Sequence, residues 1–341
     1  MTKRRDSALV FAACAIAAAQ MTWAAHARAD DFYHGKTLTI IVGFSPGGGF
    51  DANARLLARY IGKHIPGHPK VVVQNMPGAA SLTSVRYLDA TAPKDGTVID
   101  TFNFGQITQS KLEPKKIRVD FRKYNWIGSI TTDISACYAW GKLGVKTLAQ
   151  MKAHGVMHMG TTSVGASSDI SQRILKYIFG VNVQQVTGYP GSAEERLAIE
   201  RGELDGDCGA WSSLPPKWID DKLIDPVLRF SPVLGEGMPG SVPFAEDIAP
   251  NAQARKIINL LTASGGVGRP FIASAAVPAD RIKILRAAFD ATMKDPKFLA
   301  DAKKERLPVY PKNAKQAIAT VDGIYDAPGD IVRAAHKIAT Q

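Results

Sequence analysis

Long hydrophobic runs, metal-binding motifs and cysteines are scarce in this chain of 341 residues. A helix that crosses a bilayer takes about 20 apolar residues, and no run in the sequence reaches that length. Neither C-x-x-C nor H-E-x-x-H occurs, and Gly155 interrupts any helix that would bring His154 and His158 to one ion. We therefore predict a chain that is not itself transmembrane, with no metal and no cofactor.

Acidic residues are outnumbered, with 31 Asp and Glu against 42 Lys and Arg and a net charge of +11. A positive surface favours anionic partners. Nucleic acid would also be attracted, but the sequence has no dense basic run interleaved with aromatic residues and no zinc-finger pattern. We therefore predict a small anionic ligand and no nucleic acid.

The first 29 residues have the pattern of a cleaved secretory signal peptide. Lys3, Arg4 and Arg5 precede an apolar run at 8–19, and small-x-small cleavage sites follow near Ala27. Removal of 1–29 takes away four basic residues and one acidic residue, which leaves a net charge of about +8.

Two cysteines, Cys137 and Cys208, lie beyond the predicted signal peptide. In an oxidising compartment such a pair favours a disulfide. Two buried small apolar side chains would fit the same apolar stretches. The residues leave both interpretations open.

An alternating strand and helix pattern begins after the predicted signal. Apolar strands are predicted at 38–44, 70–75 and 97–102, with helices at 51–61 and 81–90 between them. This βαβαβ order indicates an α/β lobe with a parallel sheet.

A second lobe is predicted from about residue 132. Strands at 156–161, 183–187 and 204–211 alternate with helices at 170–179 and 192–202. Ser192 and Glu195 have the spacing of a capping box. Three helices and no strand are predicted towards the end of the chain, where Ile282 and Leu285 lie on the inward face of the clearest one. We expect these helices to pack back on the first lobe.

The glycine-rich stretch "FSPGGGFD" does not fit the common nucleotide or nucleophile motifs. Gly47, Gly49 and Ala52 match G-x-G-x-x-A, but the acid that should follow about 20 residues later is missing. Phe50-Asp51 stands where a P-loop needs Lys-Ser or Lys-Thr. No G-x-S-x-G elbow is present either.

What remains is anion binding by the backbone itself. A glycine loop before a helix directs N–H groups and the positive end of the helix dipole at one point. The strand, small-residue loop, acid and helix of residues 39–61 recur at 156–178, and "GYPGS" at 188–192 repeats the loop again. Three such loops, divided between two lobes, predict a ligand with more than one negative group, held in a cleft between the lobes. We expect positive φ at Gly48, which valine would resist.

The motifs "TIIVGFSPGGGFDANARLL", "VVVQNMPGAAS" and "APKDGTVI" resemble the Bug family, the TctC-like extracytoplasmic solute receptors of tripartite tricarboxylate transporters. The second lobe is similar as well, in its "GTTSVGASSD" loop, its "GYPGS" segment and its "GELDGD" strand. This chain departs from the family pattern at Phe50 and at Asp169. It also has Pro190 at the position where the family has lysine. Phe50 and Trp211 are candidates to stack on an aromatic acid, although a core position is the favoured interpretation for Trp211.

The resemblance implies a two-lobed, type II-like periplasmic binding protein with α/β architecture, in which each lobe is a sheet flanked by helices and the ligand cleft lies between the lobes. The implied organisation is a signal peptide at 1–29, the first lobe at 30–131 and 231–341, and the second lobe at 132–230. The implied ligand-binding residues are Ser45, Pro46, Gly47, Gly48, Gly49, Phe50, Asp51, Gly78, Ala79, Thr161, Ser163, Gly165, Ala166, Ser167 and Asp207.

The function implied is non-catalytic. A periplasmic receptor would capture a small organic carboxylate by hinge closure and deliver it to the permease subunits of a tripartite tricarboxylate-type transporter. Two alternatives stay open. One is an exported α/β hydrolase acting on an anionic substrate, and the other is a receptor that serves signalling rather than uptake.

Overall fold

The computed structural model describes residues 32–341, so the predicted signal peptide at 1–29 lies outside the described part. Two mixed β-sheets flanked by helices form two lobes, which confirms the expected α/β architecture. Over 32–341 no helix combines the length and the apolar character that crossing a membrane requires.

The first sheet contains six strands. They are β1 (Thr37–Val42), β2 (Lys70–Asn75), β3 (Val98–Thr101), β4 (Asn125–Ser129), β10 (Pro270–Ala273) and β11 (Lys312–Asn313). Their order is β11-β4-β10-β3-β1-β2. β1 pairs in parallel with β2 and β3, as the βαβαβ pattern predicts, whereas β10 is antiparallel to β3 and β4.

The second sheet contains five strands. They are β5 (Ser135–Trp140), β6 (Met157–Thr161), β7 (Val183–Thr187), β8 (Gly206–Ala210) and β9 (Ile224–Arg229). Their order is β7-β6-β8-β5-β9, with β6 parallel to β7 and β8 and with β5 antiparallel to its neighbours. The chain passes from the first sheet to the second after β4 and returns before β10.

The helices cover the faces of both sheets. They are α1 (Gly49–Ile61), α2 (Leu82–Ala90), α3 (Gly105–Leu112), α4 (Pro114–Ile117), α5 (Leu148–Ala153), α6 (Ser167–Tyr177), α7 (Ser192–Glu200), α8 (Pro216–Asp220), α9 (Ala252–Thr262), α10 (Ala279–Thr292), α11 (Pro296–Lys304), α12 (Ala314–Tyr325) and α13 (Gly329–Thr340). The prediction of three late helices without a strand is wrong: in the described chain after residue 250 there are five helices, and β10 and β11 join the first sheet.

The apolar core is continuous between the lobes. Phe102 and Trp126 of the first lobe belong to the same buried cluster as Met157 and Met159 of the second. A separate cluster packs α1 and α10 on the first sheet, with Leu57 and Phe289 fully buried. Apolar packing therefore continues from one lobe to the other.

A disulfide joins Cys137 to Cys208, which settles the choice that the residues left open. The two cysteines face each other on the antiparallel strands β5 and β8, with their Cα atoms 3.9 Å apart, and both are buried. The bond connects β8, the central strand of the second sheet, which bears Asp207, to its neighbour β5.

Candidate functional site

A cavity lies between the two lobes, where loops that follow β1 and β3 face loops that follow β6 and β8. Open α/β sheets bind ligands at the carboxyl ends of their strands. The first lobe contributes Gly48, Gly49, Phe50, Asn103 and Arg269 to its lining, and the second contributes residues from α6, α7 and β8.

Three helices begin at this cavity. The first residues of α1, α6 and α7 are Gly49, Ser167 and Ser192, and each of them lines the cavity. The first N–H groups of a helix have no intrahelical acceptor, and the helix dipole is positive there. Because α1 belongs to one lobe and the other two belong to its partner, an anion in the cavity would be approached from both sides.

The loop before α1 is held by the carboxylate that the sequence placed in the site. Asp51 Oδ2 accepts hydrogen bonds from Gly47 N–H at 3.0 Å and from Arg55 Nε at 2.9 Å, and Oδ1 accepts one from Asn75 Nδ2 at 2.9 Å. Burial opposes ionisation of Asp51, but these donors outweigh it and hold its pKa below the ordinary value. Asp51 therefore shapes the loop and does not face the cavity.

The expected positive φ at Gly48 is wrong by one position. Gly47 has φ of +86°, while Gly48 has φ of −88° and serves as the N-cap of α1. The left-handed conformation lies at Gly47, where it directs the N–H of this residue to the Asp51 carboxylate. Gly48 and Gly49 are then left to line the cavity with bare backbone.

The second lobe repeats this device with the same spacing. Asp169 Oδ2 accepts from Gly165 N–H at 2.8 Å and from Arg173 Nε at 2.9 Å, and Oδ1 accepts from Gln185 Nε2 at 2.7 Å. Both loops thus read G-x-x-x-D-x-x-x-R, with a third donor from the next strand along the chain. The recurrence seen in the sequence is confirmed as a recurrence of hydrogen bonding.

The predicted capping box at the start of α7 is wrong. The N-cap is Gly191, Ser192 is the first helical residue, and no side chain caps the helix. Glu195 is 2% exposed and lines the cavity. The Glu195 carboxyl therefore does not cap the helix, and packing places it in the cavity wall instead.

Arg269, which the sequence analysis missed, is a buried cation in the cavity wall. It is 1% exposed, and its Nη1 lies 3.2 Å from Asp133 Oδ1. Its guanidinium lies 4.5 Å from the centroid of the Phe50 ring, and its Nη2 donates to Ser213 Oγ at 3.2 Å. Burial lowers the pKa of Arg269 and raises that of Asp133, and the attraction between the two partly offsets both changes.

A pair of buried carboxyl groups, Glu195 and Asp207, also lines the cavity. Burial raises the pKa of Asp207 to about 6. Hydrogen bonds from the Cys208 N–H at 2.6 Å and from Gln172 Nε2 at 3.3 Å act in the opposite direction and lower it. Burial and the neighbouring Asp207 raise the pKa of Glu195 well above its ordinary value. Oε1 of Glu195 accepts no hydrogen bond from residues 32–341.

Hydrogen bonds connect the two lobes beside the cavity. Ser45 donates from its N–H to the Pro190 carbonyl at 3.2 Å and from its Oγ to Glu194 Oε2 at 2.9 Å. Arg196 Nη2 donates to the Gly47 carbonyl at 3.0 Å. These contacts define a closed arrangement, in which Ser45 and Gly47 serve the contact between the lobes.

A strained turn supports the first-lobe wall. Ala79, Ala80 and Ser81 have consecutive positive φ values of 49°, 48° and 71°, a conformation that costs roughly 1–2 kcal/mol per residue. The turn places Ser81 Oγ 2.6 Å from Asn103 N–H, which donates to it, and Asn103 Oδ1 accepts from Ser167 N–H at 3.3 Å. The strain therefore helps to position a residue that touches the second lobe.

The structure places five of the sequence-predicted site residues at the cavity: Gly48, Gly49, Phe50, Ser167 and Asp207. Two others line a separate cavity near Tyr189: Gly78 and Ala79. The remaining ones lie behind or beside the wall: Ser45, Pro46, Gly47, Asp51, Thr161, Ser163, Gly165 and Ala166. Trp211 is a buried residue of the second-lobe core that donates to the Glu236 carbonyl, whereas Phe50 faces the cavity.

Comparison with known proteins adds curated relatives and solved structures. No family model matches the chain. A UPF0065 protein of Agrobacterium vitis is 28% identical over 203 residues, which cover 58% of this chain and 57% of the relative. A UPF0065 protein of Bordetella pertussis is 24% identical over 196 residues, which cover 56% and 59%. The chain thus spans less than two thirds of the length of the curated relatives it matches.

Several solved structures share the fold along most of the chain. The periplasmic binding protein BugD has a TM-score of 0.72 at 19% identity, over 91% of this chain and 99% of that one. MatC from Rhodopseudomonas palustris with bound malate has a TM-score of 0.69 at 16% identity, over 89% of this chain and 99% of that one. Another R. palustris protein, with adipate, has a TM-score of 0.71 at 17% identity, over 89% of this chain and 97% of that one.

The fold is therefore that of a two-lobed periplasmic binding protein. The resemblance to the Bug and TctC-like receptors that the sequence motifs indicate is confirmed by these neighbours and by the UPF0065 relatives.

Proposed function

We propose that this protein is a periplasmic solute receptor of the Bug family, which closes on a small organic carboxylate and passes it to a membrane permease. The observation that carries the proposal is the convergence of three helix N-termini and Arg269 on one cavity between two lobes. Backbone N–H groups and a guanidinium are the donors that best match a carboxylate.

Closure supplies the mechanism. An anion held by α1 from one lobe and by α6 and α7 from the other favours the closed state by its differential affinity for that state. The hydrogen bonds from Ser45 to Pro190 and Glu194 then complete the contact between the lobes. A permease that recognises the closed form would receive only loaded receptors.

The neighbours support this ligand class, since one is described with malate and another with adipate. We extend the carboxylate class to this chain from the cavity's own donors. The carboxyls and serines in the wall serve binding in this proposal, with no chemical change to the ligand.

Thermal unfolding against a panel of mono-, di- and tricarboxylates tests the proposal. A ligand at about 100 times its dissociation constant should stabilise the protein by about 2.7 kcal/mol. The matched amides, which lack the negative charge, should have no effect. Absence of any shift with every acid, or conversion of a bound acid detected by NMR, would contradict a binding function.

A further inference from the structure

A groove on the first lobe carries positive charge that the proposed ligand site does not use. Its volume is about 640 Å³, and its lining comes mainly from α2, the end of α3, the segment between α4 and β4, and the end of α12. All of these elements belong to the first lobe. None of the lining residues also lines the cavity between the lobes, so the groove is a separate feature of the surface.

Basic residues are concentrated in the stretch of chain that forms the groove. Residues 111–123 contain six Lys and Arg against two Asp and Glu. Four of the six basic side chains line the groove, which we call the basic groove: Lys111, Arg118, Arg122 and Lys123. Only two acidic residues line it with them, so the described lining has an excess of positive charge.

Both acidic side chains of the groove are already occupied by groups of the protein. Asp120 accepts hydrogen bonds from Arg122 Nε at 3.1 Å and from its Nη2 at 2.9 Å. Tyr124 donates its hydroxyl to Asp89 Oδ2. Since Arg122 holds the pKa of Asp120 below its ordinary value, the Asp120–Arg122 ion pair persists at neutral pH and leaves the other cations unbalanced.

Arg118 and Lys123 are the unbalanced cations at the rim of the basic groove. Both are exposed, and among residues 32–341 neither forms an ion pair with an acidic residue. Arg118 follows α4 with a left-handed φ of 55°, and its Nε donates to the Lys115 carbonyl at 3.1 Å. Because these bonds orient Arg118 beside other cations, its charge is available to an anionic partner.

The floor of the basic groove is fixed by hydrogen bonds. Tyr325 Oη lies 2.5 Å from Ser110 Oγ and accepts from the Phe121 N–H at 3.1 Å. Lys111 Nζ donates to the Tyr325 carbonyl at 2.5 Å, and the Arg122 guanidinium lies 4.4 Å from the centroid of the Tyr325 ring. A concave surface with a fixed floor admits a narrow chain segment, whereas a flat lipid surface would contact only its rim.

We propose that the basic groove binds an acidic segment of a partner protein, whose Asp or Glu side chains pair with Arg118 and Lys123. The excess of positive charge complements a series of carboxylates, and a guanidinium accommodates a carboxylate through two parallel hydrogen bonds. Since the whole lining lies in the first lobe, the partner binds equally well with and without a ligand between the lobes. The inference therefore goes beyond the proposed function and does not depend on the identity of the ligand.

Fluorescence anisotropy with a labelled peptide of alternating Glu and Gly tests the proposal, and a peptide with Gln in place of Glu is its neutral match. We expect the acidic peptide alone to bind, with an affinity that falls as salt screens the exposed charges. Arg118→Gln with Lys123→Gln should weaken binding by about tenfold or more. The control Lys303→Gln with Lys304→Gln removes the same charge from exposed positions of α11 outside the groove and should leave the affinity unchanged.

Three results would overturn the inference. The first is equal binding of the two peptides, or an equal loss of affinity in the two double variants. The second is displacement of the acidic peptide by succinate at the same carboxylate concentration, which would assign the groove to small anions. The third is a protein that sediments with phosphatidylglycerol vesicles and does not bind the peptide, which would assign the surface to lipid headgroups.

The same protein preparation separates this inference from the proposed function. Calorimetric titration with malate measures the cavity between the lobes, and anisotropy measures the groove. Loss of peptide binding with malate binding intact would overturn the groove alone. Peptide binding that changes severalfold when malate is added would contradict a surface confined to the first lobe.

Discussion

Replacing Arg269 separates its roles in stability and binding. Arg269→Met alone leaves Asp133, whose side chain is 3% exposed, buried without a cation. Breaking a buried ion pair in this way costs about 3–5 kcal/mol. The double variant Arg269→Met with Asp133→Asn removes both charges, and such replacements are often close to neutral for stability. The single variant should therefore melt well below the wild type, and the double variant close to it.

The double variant then isolates the effect on binding. A hydrogen bond to a charged group contributes about 1.5–3 kcal/mol, so loss of Arg269 should weaken carboxylate binding by roughly 10- to 100-fold. Urea unfolding measures the stability of each variant, and calorimetric titration with malate and aspartate measures affinity. A double variant that is as stable as the wild type and binds these acids equally well would refute the role of Arg269 as a carboxylate ligand.

Three further predictions concern closure, titration and the disulfide. A Cβ on Gly49 would lie 1.9 Å from Ser213 Oγ across the cleft. Gly49→Ala should therefore reduce ligand affinity by about tenfold or more without unfolding the protein. The control Gly323→Ala should leave affinity unchanged, because its Cβ would meet no atom within 4 Å. Burial raises the pKa of Asp207 from 3.8 to about 6, so ionisation above pH 6 costs the folded state about 3 kcal/mol. The ligand-free protein should therefore lose stability relative to Asp207→Asn as pH rises from 4 to 8 in urea titrations, and a constant difference would contradict burial of this carboxyl. Removal of the bond that spans 71 residues of sequence, by Cys137→Ala with Cys208→Ala, should lower the free energy of unfolding by about 4 kcal/mol, and equal urea midpoints would contradict a structural disulfide.

Local patterns in the sequence predict much of the fold. The strands at 70–75 and 183–187 have the predicted bounds, because β-branched runs flanked by turn residues are strong local signals. The late strand β10 escaped prediction, since its four residues owe their conformation to strands far away in the chain. Arg269 stands directly before β10 and escaped prediction with it.

The candidate site shows the same division between local and tertiary effects. Glycine loops before helices predicted the three converging N-termini, since loop, acid and helix start are neighbours in sequence. The role of Glu195 could not be predicted in this way. Its spacing from Ser192 favours a local cap, and only the packing of α7 against β8 brings it beside Asp207.

The central claim is that backbone amides at three helix starts hold a carboxylate between the lobes. A crystal structure of the protein with the acid that raises its melting temperature most tests this claim directly. We expect a carboxylate oxygen within about 3.2 Å of N–H groups at Gly49 and at Ser168 or Ser192, with the Arg269 guanidinium beside it. A ligand bound away from these helix starts, or held by one lobe alone in a closed molecule, would contradict it.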